Sequence, residues 1–151
     1  MLFFNIRIIN LKTMQSKLNP YINFKGQAKG AIEFYKSVFG GELTMSTFKE
    51  GGAPVGPKDA DKIMHAALIA ENGMTLMAAD TPPGMPYNPG DNISVSLSGD
   101  EEAELKGYWD KLSEGAKISM ALDKAPWGDT FGMLTDKFGI HWLVNITGKK
   151  S

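Results

Sequence analysis

Tyr21-Ile22-Asn23-Phe24-Lys25-Gly26 alternates apolar and polar side chains before a glycine, and Ser94-Val95-Ser96-Leu97-Ser98-Gly99 repeats the pattern 73 residues further on. A period of two marks a half-buried strand. A helical pattern follows each run: Ala31, Ile32, Tyr35, Val38 and Phe39 share one helix face after the first, and Leu105, Tyr108, Trp109 and Leu112 share one after the second. The first helix runs out at Gly40-Gly41 and the second at Gly115, glycines suited to the left-handed residue that ends a helix. Ser98 with Glu101 three residues on predicts a capping box for the second helix.

Three strand-like runs follow each helix: Glu42 to Phe48, Lys62 to Ala70 and Met74 to Ala79, then Ala116 to Ala121, Thr130 to Thr135 and Ile140 to Thr147. The order is β-α-β-β-β, twice, an α+β chain. Asn72-Gly73 and Phe138-Gly139 predict tight hairpins between the last two strands of each half. Thr81 to Gly90, with four prolines, reads as the connector. The expected organisation is an N-terminal extension, residues 1–17, and one domain, 18–147, built from modules 18–80 and 92–147 joined by linker 81–91. Residues 1–13 are apolar but broken by Asn5, Arg7 and Asn10, without a small-residue cleavage site. They read as an upstream start or an appended strand, not as a signal peptide or membrane span.

At 151 residues with 42% hydrophobic and 22% charged side chains, the chain has the composition of a globular domain and can build a core. Sixteen Lys and Arg against 17 Asp and Glu, with no basic stripe, argue against nucleic acid or an anionic membrane as partner. The absence of cysteine excludes disulfides, thiolate catalysis and sulfur-ligated zinc, and accords with a cytoplasmic location. No G-x-G-x-x-G, P-loop, H-E-x-x-H or G-x-S-x-G is present, so nucleotide, zincin and serine-hydrolase chemistry have no motif. The Asp100-Glu101-Glu102 run suits the first turn of a helix, where it complements the dipole.

Alternation also sorts side chains between two faces. Ile93, Val95 and Leu97 oppose Asn92, Ser94 and Ser96; Ile140, Trp142, Val144 and Ile146 oppose His141, Leu143 and Asn145; Ile22 and Phe24 oppose Tyr21 and Asn23. One face is apolar, as helix packing requires. The other carries polar groups whose burial without partners would cost about 1–3 kcal/mol each, so a solvated cleft is expected over it. Trp127, in the Ala125-Pro126-Trp127-Gly128 loop, is placed to wall that cleft.

The paired modules, the helix string Ala31-Ile32-Glu33-Phe34-Tyr35 ending at Phe39-Gly40, and the closing Thr135-Asp136-Lys137-Phe138-Gly139-Ile140-His141-Trp142-Leu143-Val144-Asn145 resemble the vicinal oxygen chelate superfamily of glyoxalase I, extradiol dioxygenases and bleomycin-resistance proteins. Asp61-Lys62-Ile63-Met64-His65-Ala66 and Trp127-Gly128 followed by Phe131-Gly132 resemble its PhnB-like branch, labelled by similarity to demethylubiquinone methyltransferase. The resemblance, from about Leu18 to Asn145, implies a curled mixed sheet whose concave cleft binds a ligand, and a two-fold homodimer. Metal-dependent members carry a His or carboxylate on the first, fourth, fifth and eighth strands. Carried over, those positions are Asn19 or Pro20, Met77, Asn92 and Leu143, none of them an anionic or imidazole ligand.

The reading that follows is a metal-free, cofactor-free binding module. Tyr21, Asn23, Met77, Asn92, Ser94, Trp127, Leu143 and Asn145 would line the cleft around a small organic ligand. The alternative is an enzyme of the same superfamily, a lyase, isomerase, dioxygenase or methyl-transfer-related protein, with His141 as acid/base or an atypical metal site. No glycine-rich strand-to-helix turn for a nucleotide-like methyl donor is present. For His65 the sequence supplies no role beyond a hydrogen bond.

Overall fold

The computed structural model describes residues 15–149, so the reading of residues 1–13 lies outside them. The order is β1 (Tyr21–Phe24), α1 (Ala28–Phe39), β2 (Glu42–Thr47), β3 (Ile63–Ile69), β4 (Thr75–Asp80), β5 (Val95–Gly99), α2 (Glu102–Leu112), β6 (Lys117–Lys124), β7 (Thr130–Thr135) and β8 (His141–Ile146). Both β-α-β-β-β modules are present, each as its own four-stranded mixed sheet. The strand orders are β1-β4-β3-β2 and β5-β8-β7-β6. In each, the first strand runs parallel to the last and the remaining pairs are antiparallel. The curled sheet expected from the sequence is thus two sheets within one chain.

Both sheets turn their apolar faces to one shared core. Phe24, Ala66, Leu68 and Ala78 of the first sheet, Leu97, Leu134, Trp142 and Val144 of the second, and Ile32, Tyr35, Leu105 and Leu112 of the helices belong to a single buried cluster. The helices touch each other, and α1 reaches the far sheet as well: the Tyr35 and Phe39 rings each lie 5.6 Å from that of Trp142.

A buried carboxylate ties the modules together. Tyr35 in α1 donates its hydroxyl to Asp136 Oδ2 at 2.6 Å, Trp142 Nε1 donates to the same oxygen at 2.8 Å, and the Phe138 and Ile140 amides donate to Oδ1 at 2.8 and 3.0 Å. Burial, then the negative charge of Asp136, push the Tyr35 phenol far above its ordinary range, so it remains a donor. Asp80, at the end of β4, plays a comparable part within the first module, accepting from the amides of Ala28 at the start of α1 (3.0 Å) and of Ile63 (2.9 Å).

Three hairpins share one design. Ala70 to Met74, Ala125 to Asp129 and Asp136 to Ile140 each close with the first residue's N–H on the fifth residue's carbonyl and a glycine, Gly73, Gly128 or Gly139, at positive φ in fourth place. The loop therefore holds three residues with the left-handed strain on glycine alone, not the two-residue turn that Asn-Gly suggests. The capping box does not form. Ser98 is committed to the β5 ladder opposite Asn145, and Glu101 caps α2 without a side-chain hydrogen bond; Glu102 and Glu104 supply the negative charge of the first turn. Ile93 is 76% exposed because β5 begins only at Val95, beyond the reach of the core.

Candidate functional site

The register places Tyr21, Asn23, Met77, His141, Leu143 and Asn145 on the outward faces of the two sheets. In the first sheet Tyr21 stands beside Met77, and Met77 opposite Ala67, so Tyr21, Asn23, His65 and Met77 share the face turned from the helices. The Tyr21 hydroxyl lies 3.1 Å from His65 Nδ1 with the two ring centroids 5.7 Å apart. The sequence placed Tyr21 correctly on this face but contained no sign of its partner, which is 44 positions away and brought near by the β1-β4-β3 order.

In the second sheet His141, Leu143 and Asn145 are half-buried on the outward face, while Trp142, Val144 and Ile146 are buried beneath, as alternation predicts. Thr135 Oγ1 lies 2.8 Å from His141 Nδ1, and Asn145 Nδ2 donates to Asp129 Oδ2 at 3.0 Å. Trp127, in the turn between β6 and β7, is 62% exposed and meets Phe131 edge-on at 5.7 Å. Asn92 and Ser94 fall short of this face. Both are exposed in the coil before Val95, because the proline-rich connector runs on to that residue.

Since both apolar faces share one core, the two outward faces look away from each other. Tyr21, Asn23 and Met77 are therefore not brought together with Trp127, Leu143 and Asn145 within a single chain. Between the sheets a cavity of about 310 Å³ opens at Leu18 to Pro20, walled by Phe39, Leu76, Leu97 and Trp142. None of the expected ligand-binding residues lines it; its apolar walls come from the core residues Phe39, Leu68, Leu76, Leu97 and Trp142.

The positions that hold a metal in metal-dependent superfamily members do not fit one here. Asn19 and Pro20 precede β1, Met77 and Leu143 offer no hard donor, and Asn92 lies outside the sheet. Among the described residues no three His, Cys, Asp or Glu side chains come together as a ligand set.

A family model described as 3-demethylubiquinone-9 3-methyltransferase matches residues 16–145. Protein PA1353 from Pseudomonas aeruginosa is 35% identical, with a TM-score of 0.76 over 89% of this chain and 100% of that one. A putative 3-demethylubiquinone-9 3-methyltransferase, PhnB protein, from Bacillus cereus is 26% identical, with a TM-score of 0.70 over 87% and 100%. A glyoxylase/bleomycin resistance protein/dioxygenase domain from Frankia sp. EAN1pec is 12% identical with a TM-score of 0.62 over 91% and 96%, a likeness of fold alone. The chain belongs to the PhnB-like family that the matching model describes as 3-demethylubiquinone-9 3-methyltransferase, with the glyoxalase/bleomycin-resistance/dioxygenase fold.

Proposed function

We propose that the protein binds a small organic ligand without a superfamily-type metal, in a cleft that two copies complete between them. The observation that carries this reading is the outward orientation of the two candidate faces. Each bears hydrogen-bonding or aromatic side chains that stay at least partly exposed, and in one chain they point apart. A second copy that sets its β5 edge against the β1 edge of the first would bring one chain's first sheet beside the other chain's second sheet. The cleft would then hold Tyr21, Asn23 and Met77 from one copy with Trp127, Leu143 and Asn145 from the other. The edges favour this arrangement: β1 and β5 have four and five residues, among the described residues each is paired on one side only, and both adjoin the cavity mouth. Two-fold symmetry makes two such clefts per dimer.

Light scattering at micromolar concentration tests it, with a mass twice the 16.4 kDa of one chain expected. A mass near one chain that persists on concentrating refutes the reading. A second reading, an enzyme using His141 as acid/base, draws on the Thr135 contact, which engages Nδ1 and leaves Nε2 as the ring nitrogen for proton transfer. Loss of a turnover, once found, in His141→Gln but not in Trp127→Ala would favour it. The cysteine-free sequence suits a cytoplasmic protein. Among the described residues no helix is long and apolar enough to cross a membrane.

A further inference from the structure

The Tyr21–His65 pair serves no part of the core. Tyr21 is 44% exposed and His65 is exposed beside it, so their hydrogen bond is made on a face that folding alone would leave to water. Whichever group donates, Nδ1 is engaged, and Nε2 is the ring nitrogen left to meet a ligand. The surroundings restrict what that ligand is. Asn23, Ala67, Thr75 and Met77 share the face and carry no charge, and the nearby Lys62 is paired with Asp59 at 2.7 Å. Among the described strand residues of this face there is no lysine or arginine, and Glu42, opposite Ile69, adds a negative charge at its far edge. A phosphate, sulfonate or carboxylate would therefore find no guanidinium or ammonium within the sheet, whereas a hydroxyl or carbonyl needs only a neutral hydrogen-bond partner. The other candidate face is of a different kind. Trp127 and Phe131 present an edge-on aromatic pair with Met133 next along the same strand face, a surface for a flat ring.

We infer that His65, steadied by Tyr21, is the hydrogen-bonding anchor for an uncharged aromatic ligand bearing a hydroxyl or carbonyl oxygen, with the ring resting on Trp127 and Phe131 of a second copy. The aromatic half of this assignment rests on the dimer reading above; the His65 half does not. The test follows the His65 imidazole by proton–nitrogen NMR while p-cresol, toluene or p-toluate is added to the full chain. The sequence holds two histidines, so a His141→Gln spectrum assigns the resonance. The expected result is a saturable shift with p-cresol. Loss of one neutral hydrogen bond then predicts about tenfold weaker binding for toluene, and about tenfold weaker p-cresol binding in His65→Gln. Tyr21→Phe, which keeps the ring, is expected to weaken binding as well, and Trp127→Ala to do so without moving the free His65 resonance. The assignment is overturned if p-cresol leaves the His65 ring unmoved, if His65→Gln binds p-cresol as well as the parent, or if p-toluate binds more tightly than p-cresol. Sedimentation of the same samples separates the two claims. A monomer removes the dimer reading and the aromatic wall, whereas a dimer with an unresponsive His65 refutes this inference alone.

Discussion

Replacing Tyr35 by Phe removes one oxygen from the seam between the modules and little else. Tyr35 is fully buried, and its ring contacts with Phe34, Phe138 and Trp142 survive in phenylalanine. What is lost is the 2.6 Å hydrogen bond to Asp136, the one link from α1 to that carboxylate. Hydrogen bonds to charged groups contribute about 1.5–3 kcal/mol. Asp136 retains Trp142 Nε1 and two backbone amides, so it is not stranded, and a loss of about 2 kcal/mol is expected. For a chain of this size that corresponds to a melting temperature lower by roughly 4–8 °C. Urea unfolding followed by circular dichroism, at one fixed protein concentration, gives the number; the midpoint should move while the slope m does not, since the buried surface is the same. Asp136→Asn should cost more, because an amide presents N–H groups where two donors already point. A Tyr35→Phe loss below about 0.5 kcal/mol, or an Asp136→Asn loss smaller than it, would refute the view that this carboxylate holds the modules together.

Trp142→Ala, at a site 2% exposed, should cost about 3–5 kcal/mol, whereas Trp127→Ala, at a site 62% exposed, should cost under about 1 kcal/mol; equal losses in thermal melts would contradict the assignment of faces. Stability should fall as pH rises past about 10, because the unfolded chain then releases the Tyr35 and Tyr108 protons that the folded chain still holds. Burial and the Glu104 hydrogen bond push Tyr108 up to about 12, and burial with Asp136 pushes Tyr35 higher. Urea midpoints from pH 9 to 11 check this, and Tyr35→Phe should flatten the decline. Calorimetric titration of chelator-treated protein with zinc, nickel, iron or manganese should show no stoichiometric micromolar binding. Such binding, surviving both His65→Ala and His141→Ala, would mean that ligands other than those carried over by strand position hold the ion.

The fold was legible because its periodicities are local. Alternation in β1 and β8 sorts Phe24, Trp142 and Val144 inward, and the faces of both helices emerge from spacing alone. The glycine-closed turns located the hairpins, although the closing residue had to be counted from backbone hydrogen bonds. What escaped is non-local. Asp136 reads as an ordinary turn residue, and its Asx-type bonds to Phe138 and Ile140 could have been anticipated. Its contact with Tyr35, 101 positions away, could not, because that depends on how one module leans on the other. His65 escaped for the same reason: a histidine on a strand acquires meaning from the strand two places across the sheet. Asn92 and Ser94 were placed on β5 by an alternation that starts three residues before the ladder does.

Among the described residues the hydrogen-bond ladders never cross between modules. Every strand pairs within its own half, and the halves meet through side chains: the Tyr35–Asp136 bond, the aromatic rings around Trp142, and Asn72 with Glu104 and Tyr108. From the end of β4 at Asp80 to the start of β5 at Val95 the connector can extend by about 45 Å. Two copies could therefore trade halves without breaking a single ladder bond, rebuilding across chains the same seam that each had within itself. The barrier to that exchange is the seam plus the ordering of the connector, and shortening the connector would fix which half each chain keeps.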